Sequence, residues 1–126
     1  MKSFLFAIAL SIIIVSTGSV YSKKIETVTA TISENNRTLH LHLENKDSEK
    51  ALSSLDRAEN EFAGNKVLFE ATSDHEELLR IQLQFAAIRE FIKEEQFGDA
   101  LAACSEIELL LSHLPGNFEV KAENIL

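Results

Sequence analysis

The chain has 126 residues and a formal net charge of -8, room for one domain and an acidic surface without the clustered Lys and Arg that neutralise phosphates. Nucleic-acid binding is therefore not expected. Its only cysteine, Cys104, excludes an intramolecular disulfide, a paired-thiol redox motif and a cysteine metal cluster.

Met1-Lys2-Ser3 precedes an apolar run, Phe4 to Val15, and no charge follows Lys2 until Lys23. A positive side chain, an apolar stretch and then small polar residues have the form of an export signal. Val20 and Ser22 frame a cleavage before Lys23, and Ser16 and Gly18 frame an earlier one. The uncharged stretch Ser3–Ser22 is also long enough, at ~1.5 Å per residue, for an uncleaved anchor across a ~30 Å hydrocarbon layer. Phe4–Val15 alone is short for that task. Either way residues 1–22 are read as a signal peptide or transmembrane anchor, with the acidic remainder outside the cytoplasm.

Residues 25–43 read two ways. Ile25, Thr27, Thr29 and Thr31, then Leu39, Leu41 and Leu43, alternate with other residues as in a β-hairpin. Ile25, Val28, Ile32, Leu39 and Leu43 also fit a helical stripe. Asp47-Ser48 offers a helix cap, after which Ala51, Leu55, Ala58 and Phe62 share one face that Leu52 broadens. Gly64-Asn65 interrupts or ends this helix, and Val67, Leu68 and Phe69 form an apolar patch.

The segment from Ser73 to Leu114 organises the chain as two antiparallel helices. Ser73 or Asp74 caps the first, with Glu76 or Glu77 in its first turn. Leu78, Ile81, Phe85, Ile88 and Ile92 recur three and four positions apart. After a polar break at Glu94-Glu95-Gln96, Ala100, Cys104, Ile107, Leu111 and Leu114 keep that spacing. Pro115-Gly116-Asn117 ends the second helix, and residues 116–126 are read as a flexible tail. At an offset of 49 residues Ala51, Leu52, Leu55, Ala58, Glu59 and Phe62 fall on Ala100, Leu101, Cys104, Ile107, Glu108 and Leu111. Leu39 and Leu43 then fall on Ile88 and Ile92, which favours two successive helical hairpins closing a four-helix unit.

No motif in the sequence carries recognisable chemistry. His40 and His42 share a face only in a strand. His75 stands among Asp74, Glu76 and Glu77 without the His-Glu-x-x-His spacing that presents two metal ligands, and His113 lies in a last helical turn. Glu90, Glu94, Glu95 and Asp99 read as a solvated bend. Ser53 and Ser54 lack a nearby base. Asn36-Arg37-Thr38 matches the N-glycosylation pattern, which matters only in a eukaryotic secretory route. Cys104 reads as a small buried side chain on the apolar stripe. No catalytic residue, metal ligand or cofactor is assigned, and the protein is not expected to be an enzyme.

Asp74-His75-Glu76-Glu77, the helix to Lys93 and the ending Leu111-Ser112-His113-Leu114-Pro115 resemble a group of small, membrane-anchored helical bacterial proteins. That group is common in spore-forming Firmicutes and is catalogued as a domain of unknown function. The better match spans Asp74 to Pro115, about a third of the chain. Family members often carry tryptophan in the helix before the Asp-His pair, where this chain has Phe62 or Phe69. The resemblance implies helix for residues 24–70 and an uncleaved anchor, and supplies no activity. In such a hairpin it brings His75 and His113 near each other, with His113 meeting Asp74 or Glu76.

The expected architecture is thus all-α: an N-terminal anchor or signal, then an antiparallel bundle of about four helices over residues 23–115. A β-hairpin plus three helices is the alternative. The expected role is protein–protein contact by a membrane-tethered, extracytoplasmic domain, or by a second copy, through surplus apolar faces. Leu79, Leu83, Ala86 and Phe91, outside the main stripe of their helix, are such a surplus. The rival is a secreted binding or inhibitor protein cleaved near Ser22, favoured if Phe62, Phe69 and Phe85 line a cavity.

Overall fold

This computed structural model describes residues 2–114, and the side chains of all of them except 17–19, 21 and 22. Pro115-Gly116-Asn117 and the tail at 116–126 lie outside the described residues. Among the described residues there are five helices: α1 (Lys2–Glu44), α2 (Ser48–Gly64), α3 (Lys66–Thr72), α4 (His75–Lys93) and α5 (Phe97–Ser112). That is one more than the expected number, the addition being the short α3.

Among the described residues there is no strand, so the β-hairpin alternative is corrected. Residues 25–43 are helix because Ile25, Val28, Ile32, Leu39 and Leu43, all buried, form one continuous stripe. Local β-branched alternation yields to tertiary burial, which contributes roughly 1.5–3 kcal/mol for each large apolar side chain. The boundary expected at residue 22 falls inside α1, which runs unbroken for 43 residues. No helix among the described residues is long and apolar enough to cross a membrane. The transmembrane-helix expectation is therefore unsupported. The apolar run stops at Val15, and as helix its twelve residues rise only ~18 Å.

The four long helices close a ring. α1 packs on α2, α2 on α4, α4 on α5, and α5 back on α1. Turns of three residues join α1 to α2 and α4 to α5, which makes each pair antiparallel. The stripes expected from sequence form the core, and Leu39, Leu55, Ile81, Ile88, Ile107 and Leu111 are fully covered. Ala103 and Leu110 join them from α5.

The two turns are copies. Asn45 N–H donates to the Leu41 carbonyl, Lys46 to Leu43 and Asp47 to His42; Glu94 donates to Glu90, Glu95 to Ile92 and Gln96 to Phe91. Every one of these positions is related by the same 49-residue offset. Lys46 (φ 55°) and Glu95 (φ 56°) hold the left-handed position in each, where glycine is the usual occupant. The sequence echo is therefore a structural repeat of two helical hairpins.

Caps follow the acidic side chains. Asp47 accepts from Lys50 N–H, and Asp74, rather than Ser73, accepts from Glu76 N–H. At the other end of the bundle Asn65 closes α2, its side-chain amide donating to the Glu61 carbonyl at 2.8 Å. The chain then turns into α3, which buries Leu68 and Phe69 and leaves Val67 outside.

Candidate functional site

Polar side chains tie helices together at three places, two of them between the hairpins and one within the second. Between α1 and α5, Asn36 donates from Nδ2 to the Cys104 carbonyl at 3.1 Å. The Cys104 Sγ donates in return to the Asn36 Oδ1 at 3.2 Å. Both residues are buried, and the reciprocal pair satisfies groups that would otherwise cost about 1–3 kcal/mol each. Burial, then the charge of Glu108, pushes the Cys104 thiol up to about 12, against the opposing hydrogen bond from Asn36. Such a thiol stays protonated and is a poor nucleophile. Asn36 itself, 1% exposed within a helix, has no room for a glycan, so the glycosylation pattern is not a modification site.

Between α2 and α4, the Arg89 guanidinium reaches Asp56 at 2.6 Å and Glu59 at 2.7 Å. The hydrogen bonds it donates to Glu59, then Asp56, hold its pKa above the ordinary arginine value. The third tie joins α4 to α5: Gln84 donates to Glu106 at 2.7 Å. None of these ties was legible in the sequence, since each depends on the register between helices. They fix how the helices meet.

The residues considered for chemistry remain apart. On helical α1, His40 and His42 diverge, and His40 sits 2.9 Å from Glu44. His75 and His113 are exposed, and among the described residues neither side chain has a hydrogen-bond or ion-pair partner. The expected meeting of His113 with Asp74 or Glu76 is thus not formed. Glu90 faces Lys93 at 3.5 Å, while Glu94, Glu95 and Asp99 are exposed at the turn. Ser53 is exposed and Ser54 buried against the core. Among the described residues no three His, Cys, Asp or Glu side chains are placed to hold a metal ion.

Phe62, Phe69 and Phe85 line no ligand chamber. Phe62 stacks on Phe69 with ring centroids 5.1 Å apart and meets Phe85 edge-on at 6.0 Å. A hollow beside them, between Lys66, Glu70, His75 and Gln82, holds only about 40 Å³, about enough for a water. This packing counts against a carrier of large apolar ligands in the aromatic cluster.

What the structure does leave uncovered is apolar surface. The first part of α1 projects from the bundle as an arm: Phe4, Phe6, Ile12, Ile14 and Val15 are each more than 60% exposed. No face of the arm is polar, for even Ser11 turns its hydroxyl to the Ala7 carbonyl at 2.9 Å. On α4, Leu79 and Leu83 are exposed together with Ala86, three residues at helical spacing. Phe91, expected on this surplus face, packs against the core instead.

No curated protein and no solved structure matches the chain. A family model does match, over residues 20–125, far beyond the third of the chain that carried the sequence resemblance. The chain belongs to the family described as a domain of unknown function, DUF4363.

Proposed function

We propose that this protein is a membrane-tethered accessory protein whose acidic helical bundle sits outside the cytoplasm and acts by contact with another protein. The observation that carries this reading is the arm. Its large apolar side chains stay exposed, Phe4, Phe6, Ile12, Ile14 and Val15 most of all, although the rest of the molecule closes its core. Nine exposed large apolar side chains in water represent a cost that a lipid phase or a translocation channel removes. Residues 4–22 are the membrane attachment in this reading, seated in the bilayer rather than spanning it as a free-standing apolar helix. The contact surface is the α4 face bearing Leu79, Leu83 and Ala86, since contiguous exposed apolar surface marks interaction sites.

A second reading, release after cleavage near Ser22, has its own support. The core begins at Ile25, so cutting before Lys23 would leave every core residue in the product. Fractionation of the producing cells, with the intact mass from each fraction, separates the two. A full-length species in the membrane fraction is expected. A soluble external species starting at Lys23 would replace tethering by secretion, and a soluble full-length species inside the cell would sink both.

A further inference from the structure

The uncovered stripe on α4 has a defined frame. Leu79, 47% exposed, and Leu83, 62% exposed, stand with exposed Ala86 on a line that begins at Glu76 and ends at Glu90. Steps of three and four residues alternate along it, so these side chains share one side of the helix. The opposite side holds Leu78, Ile81, Phe85, Ile88 and Ile92 in the core. The hollow at the foot of the stripe, lined in part by Leu79, holds only about 40 Å³, too little to receive a large side chain. Among the described residues there is no strand, and so no sheet edge to take an extended peptide. A shallow apolar ridge of this kind suits a second helix laid alongside, each helix seating its ridges in the grooves of the other.

Charge names the kind of helix. Residues 73–114 carry nine acidic and three basic side chains, whereas residues 23–72 carry nine and seven. The second hairpin therefore holds -6 of the net charge of -8, and α5 contains neither Lys nor Arg. The basic groups around the stripe are mostly matched. Arg89 lies between Asp56 and Glu59, Lys93 lies 3.5 Å from Glu90, and Lys66, beside the hollow, lies 3.8 Å from Glu70. What remains among the described residues is Arg80 against Glu76, Glu77 and Glu106, with one unmatched charge from Asp56 and Glu59. Asp74 and Glu94, at the two ends of α4, add to the excess. A second copy would set this excess against itself, and a phosphate-bearing surface would be repelled in the same way. The complement is an apolar stripe flanked by cations.

We propose that the α4 face seats a cationic amphipathic helix of another protein, whose apolar residues cover Leu79, Leu83 and Ala86 and whose Lys and Arg side chains meet Glu76, Glu90 and Glu106. The inference rests on the contact surface of the proposed function and deepens it by naming the class of partner; it does not depend on how the arm is held. Three apolar side chains make a small seat, so the contact is weak for its kind and draws on charge to favour its partner. It therefore loosens as salt rises.

The test uses three dye-labelled helical peptides as long as α4, 19 residues, with the same Leu and Ala stripe and with Lys and Arg, Gln, or Glu on its flanks. Fluorescence anisotropy follows each against the full-length protein in nonionic detergent, with empty micelles as the blank. The same titrations are run on a double variant, Leu79→Gln with Leu83→Gln, whose exposed positions should leave the melting midpoint unchanged. The proposal expects the cationic peptide to bind at least tenfold more tightly than the Glu peptide, and the double variant to lose at least tenfold. Equal binding of the Gln and cationic peptides would overturn the cationic partner and leave the α4 face standing as a contact surface. Binding of none would overturn the partner and the face together. Cationic binding that survives in the double variant would place it elsewhere on the acidic surface and overturn the seat. A dimer of the protein alone, seen by sedimentation and dissolved by the double variant, would put a second copy on the stripe and overturn the proposal.

Discussion

The two hairpins share a plan and differ in what fills it. Position by position, at the 49-residue offset, Ile32, Leu39, Leu43, Ala51, Leu55 and Ala58 of the first correspond to Ile81, Ile88, Ile92, Ala100, Cys104 and Ile107 of the second, and all are buried. The exceptions concentrate on one side. Thr29, Asn36 and Ser54 are the buried polar side chains among the described residues, and all lie in the first hairpin. Their counterparts are Leu78, Phe85 and Ala103. The second hairpin therefore supplies the apolar bulk, and the first supplies the buried polar groups, of which Asn36 fixes how the two meet.

Breaking that division at its strongest point gives the largest effect. Leu111→Asp places a charge where Leu111 is fully covered, at a cost of several kcal/mol, which is comparable to the whole stability of a small domain. Circular dichroism should show loss of cooperative melting; retained helicity with an unchanged midpoint would refute the core assignment. Next come the counterparts Phe85 and Asn36. Phe85→Ala is expected to cost about 3–5 kcal/mol through the cavity it leaves. Asn36→Ala should cost about 1–3 kcal/mol through the partners it strands on Cys104. Urea melts that ranked them in the other order would reverse the assignment of bulk and polar roles.

Thr29 sharpens the comparison from the opposite direction. Its hydroxyl is buried and has no hydrogen-bond partner, where the second hairpin has Leu78. Thr29→Val keeps the shape and removes the stranded group, and should stabilise by about 1–2 kcal/mol in the same urea melts. A loss of stability would mean that the hydroxyl finds a partner.

The pH dependence isolates the Cys104 tie. Its thiol is raised in the fold from 9.0 to about 12, so above pH 9.0 the unfolded chain loses this proton first. The stabilisation is complete below pH 9.0 and is lost as pH rises toward 12, with a slope of up to about 1.4 kcal/mol per pH unit. Stability measured at stepped pH should fall more steeply for the native chain than for Cys104→Ala. Parallel curves would show the thiol to be no more protonated in the fold than in the open chain.

The smallest effect tests the turns. Lys46→Gly and Glu95→Gly each relieve a left-handed residue, a gain of about 1–2 kcal/mol set against roughly 0.5–1 kcal/mol of extra chain entropy. Both variants should melt slightly higher, and by similar amounts because the hydrogen bonding of the turns is the same. Unequal shifts would show that the flanking helices, rather than the turn backbone, set the energy.

The sequence made legible whatever depends on spacing within one helix. The stripes through Ala51–Phe62, Leu78–Ile92 and Ala100–Leu114 emerge as the core, and Leu79, Leu83 and Ala86 emerge exposed as expected of a surplus face. Residues 25–43 stayed ambiguous because Thr27, Thr29 and Thr31 satisfy a strand pattern locally. Only the gap in the ring between α2 and α5 decides for helix. Asn36 with Cys104 was out of reach: the partners are 68 positions apart, and nothing within either segment encodes the meeting. Arg89 illustrates the same limit, since its carboxylates belong to another helix. Phe91 erred in the other direction, because its ring reaches round the helix to the core.

The unbroken course of α1 has a mechanical consequence. A helix of 43 residues is a rod of about 64 Å, and the arm and the first wall of the bundle are lengths of the same rod. No loop lies between them to act as a swivel. Tilt or torsion imposed at the arm is therefore passed to the bundle with little slack, so whatever grips the arm also sets the bearing of the α4 face. The domain is carried as a blade is carried by its handle.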